Sequence, residues 1–100
     1  MEILDKLKVL KSTLLLDGFV IDGVVGSYAY GDYTDSSDVD LLYHVEKKFI
    51  KKHGGFGAFS KLREIQHFLE DEIGKSIDLI PSNNLSKTAK KFMLKKVLDV

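Results

Sequence analysis

The sequence predicts an α+β (two-layer α/β) fold in which a small mixed β-sheet of three or four strands is packed by helices. Apolar residues recur at helical spacing in three segments, and three short apolar runs indicate strands, the first bounded by glycine and the third ended by proline. These segments follow one another in the order helix, strand, strand, helix, strand, helix, which is typical of a mixed sheet covered by helices. We therefore expect residues 1–100 to form a single domain.

The first half of the chain predicts one helix and two strands. Four leucine and isoleucine positions at spacings of four, three and four indicate a helix that ends near Leu16, before the stop at Gly18: Ile3, Leu7, Leu10 and Leu14. Residues 19–25 are apolar and β-branched, as expected of a buried strand. Residues 26–37 are polar and turn-rich, and residues 39–45 predict the second strand.

The second half predicts a helix, a strand and a final helix. The glycine-rich residues 53–57 indicate a flexible break. The next helix ends at Gly74 and has five apolar residues at helical spacing: Phe59, Leu62, Ile65, Leu69 and Ile73. Residues 76–80 form a short predicted strand that Pro81 ends. The final helix rests on a further apolar series: Leu85, Ala89, Phe92, Met93 and Val97.

Composition limits the class of protein. Fifteen basic and fifteen acidic residues cancel, so we expect neither direct nucleic-acid binding nor attraction to an anionic membrane. The absence of cysteine excludes a disulfide scaffold, a cysteine nucleophile and a thiolate zinc site. The chain lacks an apolar run long enough to span a bilayer and the layout of a secretion signal, which favours a cytoplasmic protein.

The most informative motif is Gly26-Ser27, ten residues, then Asp38-Val39-Asp40. Residues two apart on a strand point to the same face, roughly 6.6 Å apart, so the two carboxylates repel unless a cation lies between them. Oxygen ligands of this kind favour Mg²⁺ or Mn²⁺. Gly26 allows close backbone approach and Ser27 offers a hydroxyl and an N–H, so we predict that they bind nucleotide phosphates. Ser37 is a third predicted phosphate contact, or it caps the entry to the strand.

Asp78 is the predicted third carboxylate of the site. A two-metal centre, with ions roughly 3.5–4 Å apart, usually needs a further acidic ligand. Asp78 lies within an apolar strand, where an unpaired carboxylate would be costly. If that strand neighbours the second strand, Asp78 joins Asp38 and Asp40. This set of residues indicates phosphoryl or nucleotidyl transfer.

These residues resemble the signature of the DNA polymerase β-type nucleotidyltransferase superfamily. The short chain is similar to its minimal nucleotidyltransferase (MNT) branch, the antitoxin partners of HEPN toxins. The resemblance implies a nucleotidyltransferase fold, ATP as the nucleotide donor, and two Mg²⁺ ions held by Asp38, Asp40 and Asp78. It further implies that Gly26 and Ser27 hold the triphosphate.

Two features depart from the family pattern. Members often carry arginine where this chain has Tyr30, which removes a phosphate contact from that side chain. Members often end with a tyrosine-containing tail, whereas this sequence ends in residues 97–100, Val-Leu-Asp-Val. The first departure bears on nucleotide affinity and the second on partner contact.

Two hypotheses for function follow. In the first, the chain is a Mg²⁺-dependent enzyme that moves AMP from ATP onto a hydroxyl, a tyrosine by family resemblance, of a partner HEPN toxin. It would then be the antitoxin of a type VII-like toxin–antitoxin pair and form a hetero-oligomer. A sequence of 100 residues leaves no separate domain for a second substrate, which favours a protein acceptor over a small molecule such as an aminoglycoside. In the second, it is a non-catalytic antitoxin that binds nucleotide and neutralises its partner by complex formation.

Overall fold

The structure is a computed structural model that describes residues 2–84, 86–93 and 95–100. The elements in chain order are α1 (Glu2–Leu15), β1 (Phe19–Val25), α2 (Ser27–Tyr30), β2 (Val39–Val45), α3 (Lys47–His53), α4 (Gly55–Ile73), β3 (Ile77–Pro81), a 3₁₀ turn (Ser82–Asn84) and α5 (Lys87–Met93). The predicted α+β class with a small mixed sheet is confirmed. No helix in the described part of the chain is both long and apolar enough to cross a membrane.

The sheet has three strands in the order β1-β2-β3. β2 is central, antiparallel to β1 and parallel to β3. A parallel neighbour requires a crossover connection, and α3 and α4 provide it. The register places Asp40 opposite Val25 on one side and opposite Asp78 on the other. The first residues of β2 and β3 therefore lie at the same end of the sheet as the last residues of β1.

The core lies between one face of the sheet and α1, α3 and α4. Leu7, Phe49 and Leu69 each bring a fully buried side chain from one of these helices. Ile21 and Leu41 meet them from the sheet and are also fully buried. Because side chains alternate along a strand, Asp40 points to the opposite face, away from the helices. The fold thus separates an apolar face from a face that carries the acidic residues.

A β-bulge in β1 sets the pairing of the two strands. Ile21 pairs with Tyr43 and Gly23 pairs with Leu42, so one residue of β1 has no counterpart in β2. Continuous pairing from Ile21 would have brought Val25 opposite Val39. The bulge instead places Val25 opposite Asp40 and moves the turn after β1 next to that carboxylate.

Each outer edge of the sheet is occupied at one residue by another part of the chain. Val24 of β1 exchanges two hydrogen bonds of 2.9 Å with Leu98, so the C-terminal segment continues the sheet for one residue pair. On β3, the N–H of Ile77 donates to Glu70 of α4 at 3.0 Å, and Gln66 donates to the Ile77 carbonyl at 2.8 Å. Pro81, the last residue of β3, has no N–H to offer.

The sequence-based prediction missed α3 and misplaced the start of α4. Helix α3 has seven residues, of which Phe49 alone is buried, so its periodicity was too short to recognise. Gly54, with φ of 72° and ψ of 174°, separates the two helices, and the predicted flexible break at residues 53–57 is confined to that residue. The final helix is shorter than predicted. Leu85 and the side chains of Ala89, Phe92 and Met93 lie outside what the structure describes.

Candidate active site

The predicted acidic residues gather at one end of the sheet. Asp40 is the second residue of β2, Asp78 is the second residue of β3, and the two are register partners. Asp38 immediately precedes β2 and is exposed. The adjacency of β2 and β3, on which the predicted role of Asp78 depended, is therefore present.

Gly26 packs directly against Asp40. Its φ of 74° and ψ of −146° belong to a backbone region that is essentially restricted to glycine. A Cβ built at this position would overlap the Asp40 Oδ2 and lie 3.2 Å from Cγ. The sequence predicts that this glycine permits close approach of a ligand. In the structure, the absence of a side chain at Gly26 makes room for the Asp40 carboxylate.

The pKa of Asp40 is raised above its ordinary value. Burial of the carboxyl is the main cause, followed by the negative charge of Asp78, a hydrogen bond with Asp78, and the charge of Asp38. Two ionised carboxylates about 4 Å apart near a protein surface repel by about 4 kcal/mol. The site therefore favours either a proton or a cation between Asp40 and Asp78.

The chemistry of this donor set fits a divalent cation. Carboxylate oxygens are the ligands that Mg²⁺ prefers, and Asp40 and Asp78 are already within hydrogen-bonding reach of each other. In the described residues no three acidic or histidine side chains converge into a complete metal cage. The pair of Asp40 and Asp78 is formed, and Asp38 adds its charge from the exposed rim.

The turn after β1 leads at once into α2, a single helical turn that starts at Ser27. The carbonyl of Gly26 accepts hydrogen bonds from Ala29 and Tyr30, and the Ser27 carbonyl accepts from Gly31 at 2.9 Å. The N–H groups of Ser27 and Tyr28 donate none of the hydrogen bonds within this turn, as is usual for the first residues of a helix. Ser27 is half-buried next to Gly26 and Asp40, the position predicted for a phosphate contact.

The tyrosines beside this turn mainly pack against the protein. Tyr28 is 2% exposed, and its ring stacks on Tyr33 with centroids 4.3 Å apart and planes inclined by 6°. Tyr30 is half exposed. The burial of Tyr28 indicates that its ring packs within the protein.

Ser37 organises the loop before Asp38. Its hydroxyl accepts a hydrogen bond from the Thr34 N–H at 2.8 Å, and its N–H donates to the Thr34 carbonyl at 3.0 Å. The Thr34 hydroxyl also lies 3.1 Å from that of Ser36. The predicted capping role of Ser37 therefore matches these contacts, and its phosphate contact stays a prediction.

Lys75 is a contributor that the sequence analysis missed. Its Nζ donates to the Asp35 carbonyl at 2.8 Å and so ties the turn before β3 to the loop before Asp38. The neighbouring Ser76 carbonyl accepts from the Val39 N–H at 2.9 Å. Forty residues separate Lys75 from Asp35, and a contact of that range leaves no local signal in the sequence.

The histidines bond to carboxylates away from the acidic residues. His44 Nδ1 lies 2.9 Å from both carboxylate oxygens of Asp22, the residue at the bulge. His53 Nε2 lies 2.8 Å from Asp17, which also accepts from Lys52 at 2.6 Å. Lys52 and His53 together lower the pKa of Asp17. His44 and His53 are thus each engaged by a carboxylate outside the acidic site.

The sequence matches a known protein family over most of its length. Residues 6–99 match the model described as "Nucleotidyltransferase domain". The chain belongs to this nucleotidyltransferase family. The match spans nearly all of the chain, including the Gly26 turn, the acidic residues and the C-terminal segment, and it confirms the predicted enzyme class.

Two relatives agree with this membership, and one solved structure agrees with the fold. The chain is 31% identical to the protein adenylyltransferase MntA of Thermococcus cleftensis over 78% of this chain and 71% of that protein. It is 29% identical to a candidate protein adenylyltransferase of Methanocaldococcus jannaschii over 72% of this chain and 68% of the relative. The structure of a candidate minimal nucleotidyltransferase superposes with a TM-score of 0.65 at 24% identity, covering 97% and 95% of the two chains. The last comparison bears on the fold alone, and it confirms the minimal nucleotidyltransferase architecture.

Proposed function

We propose that this chain is a protein adenylyltransferase that moves AMP from ATP onto a tyrosine hydroxyl of a HEPN-type toxin and thereby acts as its antitoxin. Family membership supports nucleotidyl transfer, and two relatives named for protein adenylyltransferase activity support a protein acceptor. The observation that carries the proposal is the Asp40 carboxylate, held between Gly26 and Asp78. The Gly26–Ser27 turn, for which we propose phosphate binding, is adjacent to Asp40, and this proximity supports the proposal.

The reaction assigns a role to each of these residues. A divalent cation such as Mg²⁺, when bound by the acidic residues, would neutralise charge on the triphosphate. The Gly26–Ser27 turn would hold the triphosphate through the Ser27 hydroxyl, while Asp38, Asp40 and Asp78 would hold the cation. The acceptor oxygen forms a bond to the α-phosphorus and the bond to the β-phosphate oxygen breaks, so pyrophosphate leaves. The exposed carboxylate of Asp78 would accept the proton of the acceptor hydroxyl.

Asp38→Ala tests the proposal. Wild type and variant are incubated with the HEPN-type protein, ATP and Mg²⁺, and the intact mass of that protein is measured. We expect the mass to increase by AMP with the wild type and to stay unchanged with the variant. Asp35→Ala is the matched control, because it removes a nearby exposed carboxylate and keeps the backbone carbonyl that Lys75 contacts.

The same experiment distinguishes the non-catalytic alternative. If the wild type and Asp38→Ala both inhibit the toxin while its mass stays unchanged, neutralisation proceeds by complex formation and the transfer reaction is refuted. If Asp38→Ala modifies the toxin as fast as the wild type does, the assignment of the acidic residues is refuted.

A further inference from the structure

The junction of α3 and α4 exposes an unusual amount of apolar surface. We call it the α3–α4 corner and define it by Ile50, Phe56 and Phe59, whose exposed fractions are 45%, 92% and 75%. Because the side chains of Phe56 and Phe59 are mostly exposed to solvent, they contribute little to the hydrophobic core. Contiguous exposed apolar surface of this kind commonly marks an interaction site.

A groove opens beside the corner. Its volume is about 290 Å³, and its lining is mainly apolar: Tyr43, Val45, Ile50, Phe59, Leu62 and Pro81. Ile50 and Phe59 thus line a concavity that can receive side chains, and Phe56 lies three residues before Phe59 on the same face of α4. A protruding apolar side chain from a partner matches this shape better than the flat surface of a bilayer does.

The rim of the corner is positively charged. Helix α3 carries four exposed lysines, of which Lys48 contacts Glu46 at 3.6 Å and Lys52 contacts Asp17 at 2.6 Å. Within the described residues, Lys47 and Lys51 take part in no ion pair, and they lie one turn apart on α3. A complementary partner surface is therefore acidic around an apolar centre.

The opposite end of the sheet has the opposite charge. The exposed carboxylates there include Asp32, Asp35, Asp38 and Asp78. An acidic partner segment is repelled from that end and attracted to the corner. The charges of the molecule therefore orient such a partner, although the net charge of the chain is zero.

Contacts at both sheet edges favour a helix over a strand as the docked element. Leu98 pairs with the edge of β1, while Glu70 and Gln66 occupy the outward-facing groups of Ile77 on β3. A partner strand would have to displace these contacts. A helix that places apolar side chains in the groove and acidic side chains on the rim requires no such displacement.

We propose that the α3–α4 corner docks an acidic amphipathic helix of the acceptor protein. The identification of the partner as the acceptor rests on the proposed function, whereas the chemistry of the docked helix does not. Val45 lies five residues along β2 from Asp40, roughly 17 Å away, so an acceptor held at the corner must be a macromolecule that spans this distance.

The test uses a fluorescent synthetic helix with leucines on one face and glutamates on the other, and a copy with lysines in place of the glutamates. Binding to the full chain is followed by anisotropy at low and high salt, without nucleotide. We expect Phe56→Ser/Phe59→Ser to weaken binding of the acidic helix at least about tenfold. Lys47→Glu/Lys51→Glu should weaken it and reduce its salt dependence.

Matched controls separate the corner from general stickiness and charge. Val9→Ser removes an apolar side chain of α1 that is 68% exposed and lies beside Glu72, near the C-terminal end of α4, whereas the corner lies at the N-terminal end of that helix. Lys90→Glu/Lys91→Glu reverses two exposed lysines of α5. Both controls should bind the acidic helix as the wild type does. Equal loss in the controls, equal binding of the lysine copy, or no binding at all overturns the proposal.

Other occupants would give different results. A wild-type dimer in light scattering that Phe56→Ser/Phe59→Ser dissociates would assign the corner to a second copy. Corner-dependent binding to anionic phosphatidylserine vesicles in preference to the acidic helix would assign it to a lipid surface. Either result overturns the proposal.

The acceptor is tested separately from the binding chemistry. With the HEPN-type protein, the Phe56→Ser/Phe59→Ser variant should raise the KM for the protein and leave kcat and nucleotide binding unchanged. An unchanged KM beside lost peptide binding would overturn the assignment to the acceptor. If the wild type modifies no acceptor, the proposed function fails, and the nucleotide-free measurements still decide whether the corner docks an acidic helix.

Discussion

Replacing Gly26 with alanine adds one methyl group at the most crowded point of the candidate site. The new Cβ would overlap the Asp40 Oδ2 and lie 3.2 Å from Cγ. It would also have to adopt φ of 74° and ψ of −146°. A residue held in such a region costs about 1–3 kcal/mol, and overpacking typically costs about 1–3 kcal/mol more.

Gly31→Ala is the matched control for this perturbation. Gly31 also has a positive φ, 82°, but a Cβ there meets no atom within 4 Å. The control therefore carries a conformational cost and no collision. For a domain of about 100 residues, 1 kcal/mol lowers the Tm by about 4–8 °C, so Gly26→Ala should unfold at least about 4 °C below Gly31→Ala.

The collision is isolated by repeating Gly26→Ala in an Asp40→Ala background, with unfolding followed in urea. Removing the carboxylate removes the overlap, so the added cost of the Gly26 substitution should fall by about 1–3 kcal/mol. Displacement of Asp40 would be an alternative response in the single variant, and it would abolish transferase activity because the acidic pair separates. A Gly26→Ala protein as stable and as active as Gly31→Ala would refute the reasoning.

Three further predictions concern other parts of the molecule. Gly23→Ala should destabilise the fold by about 1–3 kcal/mol in urea unfolding, because its Cβ would overlap the Val97 side chain, and Val97→Ala should relieve part of the loss. Asp17→Asn should cost stability at neutral pH: the pKa of Asp17 is lowered, so its carboxylate stabilises the fold above about pH 4 and this contribution is lost as the pH falls through the lowered pKa. The difference in unfolding free energy between wild type and Asp17→Asn should therefore close in acid, and a constant difference would contradict the assignment. Lys75→Ala should slow transfer about three- to tenfold by freeing the Asp35 carbonyl, with recovery in Lys75→Arg, whereas equal rates in all three forms would exclude a positioning role.

The bounds of the first two strands could be predicted from local sequence pattern alone. Residues 19–25 and 39–45 are strands in the structure with the predicted bounds, because alternation and flanking turn residues are properties of adjacent positions. Helix α3 was not predicted, because it has no repeating local pattern of apolar residues. Phe49 is its one buried side chain, and its ring lies 6.4 Å from that of Phe19, thirty positions earlier. Its stability depends on that tertiary contact rather than on a repeating pattern.

The sequence by itself predicted the candidate site residues, and it determined that Asp38 and Asp40 flank the start of one strand. It did not determine how the strands pair. The bulge in β1 brings Gly26 against Asp40, and the parallel crossover brings Asp78 to the other side of the same carboxylate. Both relations depend on hydrogen-bond register between distant segments, which the packing of the whole sheet selects and no local stretch of sequence encodes.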